Sequence, residues 1–327
     1  MPTVIANELV GVQPMTGPVG QIHTLRVRYS DTMNDTSAGN TDTTAGEEAL
    51  SPFKIAEAYS GDAATAKAAS TAALEGAAGR KMSIQILKQT VEAKTRKLSA
   101  RWTFEAAQDA QSMHGIDVEA EIMAALAQEI TAEIDQEVIG SLVTLSGTAA
   151  QTYDQAAVSG TATFVGDEHA ALAVQINRVS NLIAQRTRRG AGNWAVVSPF
   201  ALTILQSATT SAFARTTEGT FEAPTNTKMV GTLNNAMKVY VNTYAADSSD
   251  ILIGYKGSSE SDAAAFYCPY IPLMSSGVVL DPTSFEPTVS FMTRYGYVEL
   301  NNTASSLGNA ADYLGNVAIT NGNVSFS

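Results

Sequence analysis

The residues that most often carry catalysis or bind metals are few in this chain and widely separated. His23, His114 and His169 occur in different segments, and none has a partner at the spacing of a metal site. Cys268 stands in an apolar run, where an unpaired cysteine is usually a small buried hydrophobic side chain. These patterns predict packing or surface roles, with no metal, no cofactor and no activated nucleophile.

The glycine-containing loops do not match a phosphate-binding motif. Gly254, Lys256 and Gly257 resemble such a loop only superficially, and neither a dinucleotide fingerprint nor a nucleophile elbow occurs. An ordinary turn is the favoured interpretation, by roughly ten to one. Because no set of residues forms a catalytic constellation, we predict that the protein is not an enzyme.

Composition describes a globular chain of 327 residues, with 45% hydrophobic and 16% charged side chains. No apolar run approaches the ~18 residues of a membrane helix, so no membrane association is expected. The N-terminus lacks the positive region of a signal peptide, and a single cysteine excludes an internal disulfide framework. A net charge of −12 disfavours tight nucleic-acid binding, because that requires clustered Lys and Arg.

One long helix is predicted over 117–145, and it is the element that must position the rest. Its apolar side chains recur every four residues, a spacing that only a helix gathers on one side. They are Ile122, Leu126, Ile130, Ile134, Val138 and Leu142. A strict four-residue spacing drifts by ~40° per step, which argues against a coiled coil and favours a helix laid across a sheet.

Two oppositely charged segments form the candidate site. The acidic one lies beside the apolar ridge of the predicted helix and consists of Glu129, Glu133 and Glu137. The basic one precedes the helix and contains Lys88, Lys94, Arg96, Lys97 and Arg101. We predict that they face each other as an assembly interface, within a subunit or across a subunit boundary. The simpler alternative is that both segments face solvent.

The remaining chain alternates strands, helices and small-residue stretches. Residues 21–29 and 81–104 are typical of strands, 168–185 and 199–207 of helices, and 194–197, 238–242, 251–254, 266–273, 288–300 and 316–320 of further strands. The span 30–79 has few large side chains and cannot form a core alone. Only Phe53, Ile55 and Tyr59 can anchor its middle.

Several blocks of the sequence together resemble the major capsid proteins of T-even-like tailed bacteriophages. They are GVQPMTGPVGQIHTLRVRY (11–29), VEAKTRKLSARWTFEAAQDAQSMHGIDVEAEI (91–122), GYKGSSESDAAAFYCPYIPL (254–273) and DPTSFEPTVSFMTRYG (281–296). The blocks are long and irregular, follow the family's order and reach to about residue 300. The resemblance is therefore highly specific.

The resemblance implies an α+β, Hong Kong 97-type capsid fold. It implies an N-terminal arm and first strand (1–29), an extended loop on a neighbouring subunit (30–80), a peripheral domain (81–145) with the spine helix 117–145, an axial domain (146–277), a peripheral return strand (278–300) and an axial C-terminal tail (301–327). The chain starts just before the first block, so we expect either no propeptide or a processed form.

The implied function is structural. The chain would form hexameric capsomers, and pentameric ones as a further option, in an icosahedral head enclosing double-stranded DNA without sequence-specific binding. Its partners would be other copies of itself, with portal, scaffold and decoration proteins; it would be assembled in the host cytoplasm and reside in the virion. Two alternatives remain open: a pentameric vertex paralogue of the same phages, and an encapsulin-like compartment that carries cargo protein.

Overall fold

The computed structural model describes residues 5–34, 42–49, 58–65, 67–155, 157, 165–208, 213–215, 227–234, 236–246, 250–259, 262–300 and 309–320. The helices are α1 (Ala6–Leu9), α2 (Thr71–Leu74), α3 (Phe104–His114), α4 (Val118–Ser146), α5 (Val165–Thr187) and α6 (Pro199–Ser207), with a 3-10 turn at Ala310–Tyr313. The strands are β1 (Gly11–Val12), β2 (Val19–Tyr29), β3 (Met82–Glu92), β4 (Lys94–Arg101), β5 (Gln151–Asp154), β6 (Trp194–Val197), β7 (Phe213–Arg215), β8 (Lys228–Leu233), β9 (Met237–Val241), β10 (Ile251–Gly254), β11 (Ala265–Ser275), β12 (Val279–Leu280), β13 (Pro287–Glu299) and β14 (Leu314–Thr320). The mixture of helix and strand confirms the predicted α+β class.

Helix α4 matches the predicted 117–145 segment within one residue at each end. Asp117 caps it, because its carboxylate accepts a hydrogen bond from the backbone N–H of Glu119 at 3.1 Å. Gly115 ends α3 in the left-handed conformation, with φ of 66°, as glycine does most readily. The apolar ridge becomes buried from Leu126 to Leu142, so the helix gains its stability from packing along most of its length.

The first sheet has five strands and includes a short strand from the N-terminal part of the chain. β11 pairs antiparallel with β13, which on its other side pairs antiparallel with β4, from Arg101 opposite Thr288 to Lys94 opposite Tyr295. The short strand β1 runs parallel to β11, and β12 closes a hairpin with β13. Helix α4 lies on this sheet through contacts with β4 and β13.

The second sheet has seven strands in the order β5-β14-β10-β6-β9-β8-β7. Its central strands are buried on both faces, which explains why β6 and β10 are continuous apolar runs. Trp194 and Leu252 point into a core shared with α4, whereas Ala195 and Ile253 point into the core under α5 and α6. The two sheets are therefore joined by the packing of α4 against both.

Strands β2 and β3 form a separate two-stranded ribbon, in register from Val19 opposite Glu92 to Tyr29 opposite Met82. A small cluster lies where the ribbon ends, in which the rings of Tyr29 and Tyr59 are 4.4 Å apart. The Tyr59 hydroxyl donates to the carbonyl of Lys81 at 2.5 Å, so Tyr59 does anchor its segment. Phe53 and Ile55, the other two predicted anchors, lie outside the described residues.

Strands β11 and β13 lie on either side of the predicted domain boundary at 277/278. They pair antiparallel along most of their length. Backbone hydrogen bonds between them make 265–299 part of one sheet. Strands β5, β7 and β8 were not predicted, because their sequences are short or rich in small and polar residues.

Candidate assembly surface

Arg96 is the basic residue that meets the acidic ridge of α4. It lies on β4, and its guanidinium donates to Glu133 Oε2 at 2.6 Å and to Glu137 Oε2 at 2.5 Å. The two glutamates are four residues apart and therefore lie on one side of the helix. Tyr295 from β13 completes the group, because its hydroxyl accepts from Arg96 Nε at 2.6 Å and donates to Glu137.

The electrostatics of this group favour its charged state. Burial disfavours the Glu137 carboxylate, but hydrogen bonds from Tyr295 and Arg96, with the charge of Lys94, outweigh it and hold the pKa of Glu137 below its usual range. Burial likewise opposes the Arg96 charge, and hydrogen bonds to Glu137 and Tyr295 outweigh it and raise the pKa of Arg96. The group therefore stays paired near neutral pH.

The other predicted site residues are not gathered at this point. Lys94 shares the β4 face of Arg96 and acts on Glu137 through its charge, whereas Lys97 alternates to the other face and is exposed. Arg101 lies 3.5 Å from Glu286. Lys88 is exposed on the ribbon opposite His23. Glu129 is also exposed and forms no ion pair with any residue that the structure describes.

Helix α4 carries further polar contacts that the sequence analysis missed. Asp135 is buried and accepts a hydrogen bond from the backbone N–H of Ile5 at 2.9 Å. Gln136 and Asn242 exchange two side-chain hydrogen bonds, of 2.8 and 3.1 Å, which attach the helix to the end of β9. Two residues advance a helix by ~200°, so Asp135 faces away from Glu133 and Glu137. The position of Asp135 among apolar neighbours in the sequence was the signal from which its burial could have been predicted.

Of the residues first considered for chemistry, His169 and Cys268 are part of the packing, whereas His23 and His114 are exposed. His169 is buried, and its Nδ1 lies 2.5 Å from the Ser207 hydroxyl. Cys268 is buried, and that burial raises the pKa of its thiol, which disfavours the nucleophilic thiolate. The backbone N–H of Gly257 donates to the carbonyl of Asp262 at 2.8 Å. Within the described part of the chain, no group of side chains is arranged to hold a metal ion, and no helix is long and apolar enough to cross a membrane.

Two of the surfaces that the described residues leave exposed carry neighbouring apolar side chains. One face of the β2–β3 ribbon exposes apolar side chains to solvent: Leu25 (67% exposed), Ile84 (70%) and Ile86 (67%). Helix α3 contributes no buried residue at all, and its Met113 and the following Ile116 are exposed. Contiguous exposed apolar side chains usually mark an interaction surface. We call these the ribbon face and the α3 surface.

The fold defines the class to which the protein belongs. It is similar to a solved structure from Microbacterium phage Oxtober96, with a TM-score of 0.56 and 11% identity over 97% of this chain and 91% of that chain. The capsid of Myoviridae Phage XM1 gives a TM-score of 0.51 with 11% identity over 95% and 90% of the two chains. The predicted Hong Kong 97-type capsid fold is confirmed.

Sequence comparison then identifies the family. The chain is 30% identical to the major capsid protein of Escherichia phage AR1 over 94% of this chain and 74% of that protein. It is 29% identical to that of Vibrio phage KVP40, over 92% and 74%, and 36% identical to that of Enterobacteria phage T4, over 69% and 46%. A model of the family Major capsid protein Gp23 matches residues 1–319. The chain belongs to this family of structural subunits, which form the capsid shell of tailed phages.

Proposed function

We propose that the subunit assembles with copies of itself into hexameric capsomers, and at vertices into pentamers, of an icosahedral shell enclosing double-stranded DNA. The protein acts as a container wall in the virion and has no catalytic role. Assembly takes place in the host cytoplasm, with portal, scaffold and decoration proteins as further partners. The observation that carries this proposal is the ribbon face, because it is an apolar surface that its own subunit leaves open.

The domain map follows the two sheets. We assign the seven-stranded sheet with α5 and α6 to the axial domain and the five-stranded sheet with α4 to the peripheral domain. The axial segment then ends near residue 254 instead of 277, since β11 belongs to the five-stranded sheet. β14 returns the C-terminal part to the axial sheet. The ribbon and the segment between its strands form the extended loop.

The ribbon requires a partner for energetic reasons. An isolated two-stranded ribbon is marginal in water, because each ordered residue costs ~1–2 kcal/mol of conformational entropy. Burial of one large aliphatic side chain returns about 1.5–3 kcal/mol. Leu25, Ile84 and Ile86 therefore supply the missing stabilisation once a neighbouring copy covers them.

Charge indicates which surface of the neighbour covers the ribbon face. Lys88 lies on the same ribbon face as Ile84 and Ile86, because the three alternate along β3. The α3 surface carries Glu105 and Asp109, and the sequence has no Lys or Arg from 102 to 177. We place the ribbon face of one copy on the α3 surface of the next, where both the apolar and the charged side chains find complements.

The predicted charged site then divides into two functions. Arg96, Glu133 and Glu137 fix β4 against α4 inside the subunit, so they set the shape that each copy presents. Lys88, Lys94, Lys97, Arg101 and Glu129 remain available at the surface for contacts between copies. Exposed pairs contribute only ~0–1 kcal/mol each, so their role is to select register, while the apolar contacts provide adhesion.

Charge reversal tests the contact between copies. Lys88→Glu should reduce the yield of closed particles, measured by sedimentation and electron microscopy, while thermal unfolding of the free subunit stays unchanged. Glu105→Lys or Asp109→Lys in the same chain should restore part of the yield. Lys228→Glu, an exposed reversal on β8, is the matched control and should assemble normally.

Assays on the same particles distinguish a failure of the proposed contact from a failure of the proposed function. If wild-type particles form but Lys88→Glu assembles as well as Lys228→Glu, or if the double reversals are merely additive, the ribbon does not lie on α3. Nucleic acid extracted from native particles should be double-stranded DNA. Recovery of a packaged cargo protein without DNA would instead contradict the phage-head function.

A further inference from the structure

The N-terminal strap, defined as Ile5–Met15, connects three parts of the subunit that are otherwise distant in sequence. Ile5, Ala6 and Leu9 are buried in the core shared by α4 and both sheets. Gly11–Val12 adds a parallel strand to β11, and Met15 N–H donates to the carbonyl of Pro269 at 2.9 Å. The strap is therefore placed to hold the two sheets in one relative arrangement.

Polar contacts that involve side chains attach the strap to its surroundings at several points. Ile5 N–H donates to Asp135 on α4, the Tyr240 hydroxyl of the seven-stranded sheet donates to Glu8 at 3.1 Å, and Lys256 Nζ donates to the carbonyl of Asn7 at 2.7 Å. Lys238 Nζ lies 3.3 Å from Glu8 as well. Asp135 is the buried carboxyl group among these partners.

Asp135 has an unusual environment for a carboxyl group. It is 3% exposed, and among the described residues no cation contacts it. Burial raises the pKa of Asp135 to about 6, and the Ile5 N–H opposes that shift only in part. Buried carboxylates without a positive partner are costly, so the neutral form is favoured while the strap covers the site.

The groups around Asp135 do not titrate in the same range. Tyr267 on β11 faces it, and burial, followed by the charges of Asp135 and Glu137, raises the pKa of Tyr267 to about 12. Glu137 on α4 and Glu8 on the strap both have a pKa below the usual range. Lys238 and Lys256 face Glu8 instead of Asp135. Among these described groups, Asp135 is the one whose pKa lies between pH 5 and 8.

We propose that the strap is a proton-linked tie: protonation of Asp135 favours the docked strap, and ionisation of Asp135 favours its release and loosens the connection between the two sheets. Release lets water reach the carboxylate, which removes the cost of burying it. Asp135 binds its proton more tightly when the strap is docked, so protonation stabilises docking at low pH. This stabilisation is lost as pH rises through the pKa of Asp135 in the docked state.

The expected size follows from the same linkage. If Asp135 regains its usual pKa on release, the docking equilibrium should weaken about tenfold between pH 5 and pH 8. Glu8 adds no pH dependence in this range because it stays ionised throughout. Its contacts nevertheless contribute to docking at every pH in the range.

Hydrogen exchange of the full chain tests the proposal. After correction for the intrinsic rate, backbone amides of 5–15 should lose about tenfold protection from pH 5 to 8, while β10 amides keep theirs. Asp135→Asn keeps an oxygen that accepts the Ile5 N–H but cannot ionise, so its strap should stay protected across this range. Glu8→Gln is the matched control: it should lower protection at both pH values and keep the tenfold ratio.

Each outcome decides the question. A wild-type strap whose protection relative to β10 does not change with pH overturns the proposal, even if Asp135→Asn fails to fold. A pH dependence that survives in Asp135→Asn also overturns it, since another group would then be responsible. Loss of the tenfold ratio in Asp135→Asn alone, with Glu8→Gln retaining it, supports the tie.

Discussion

Helix α4 and the β2–β3 ribbon are similar in length but differ in how much they pack against the rest of the subunit. The helix has 29 residues, about 43 Å, and the ribbon pairs 11 residues on each strand, about 37 Å. Most of the second half of α4 is packed between the two sheets, whereas the ribbon leaves its apolar face in solvent. The geometry of α4 is thus determined inside one subunit, and that of the ribbon depends on its partner.

The largest effect should come from the packed helix. Leu142→Ala removes a fully buried side chain from the shared core and should lower the free energy of unfolding by about 2–5 kcal/mol. Val143→Ala, the next residue and an exposed one, should change it by less than about 0.5 kcal/mol. Denaturant unfolding of free subunits measures both. Equal effects would show that α4 is not held by this core.

A smaller effect, and one that appears only in the assembly, is expected on the ribbon. Ile86→Ala should change the unfolding free energy of the free subunit by less than about 0.5 kcal/mol, because the side chain is already in water. In particles it should weaken each contact by about 1.5–3 kcal/mol, seen as dissociation at lower urea concentration. Gln85→Ala, on the opposite ribbon face, is the control. A free subunit destabilised as much as the particle would contradict the comparison.

The smallest effect concerns the charged group between β4 and α4. Tyr295→Phe removes the hydroxyl that joins Arg96 to Glu137 and should cost about 1 kcal/mol at pH 7. Since the pKa of Glu137 is lowered, the stability from its charge is present above the usual range of a glutamate and is lost as pH falls through that lowered value.

The cost of Tyr295→Phe should therefore shrink in acid, which thermal unfolding at pH 7 and pH 3 can measure. Glu129→Gln, an exposed change without an ion pair, should have almost no effect at either pH. A cost for Tyr295→Phe that is equal at both pH values would show that the hydroxyl stabilises the fold independently of the Glu137 charge.

Local patterns were sufficient for the elements whose signals lie within a few turns of chain. The bounds of α4 were predicted within one residue because apolar periodicity is a property of the local backbone. Strand β6 was predicted because a four-residue apolar run buried on both faces has no polar alternation to obscure it. The family resemblance also rested on contiguous blocks, and the comparisons confirm it.

The long-range partners were decided by the tertiary structure alone. The sequence determined that α4 is a helix with an apolar ridge and an acidic ridge, because side-chain periodicity depends only on local backbone geometry. It did not determine that Arg96, among five basic candidates, meets that ridge, or that Asp135 is covered by the N-terminal strap. Those contacts depend on how β4, β13 and residues 5–15 pack against α4, and such packing joins residues 37 to 158 positions apart.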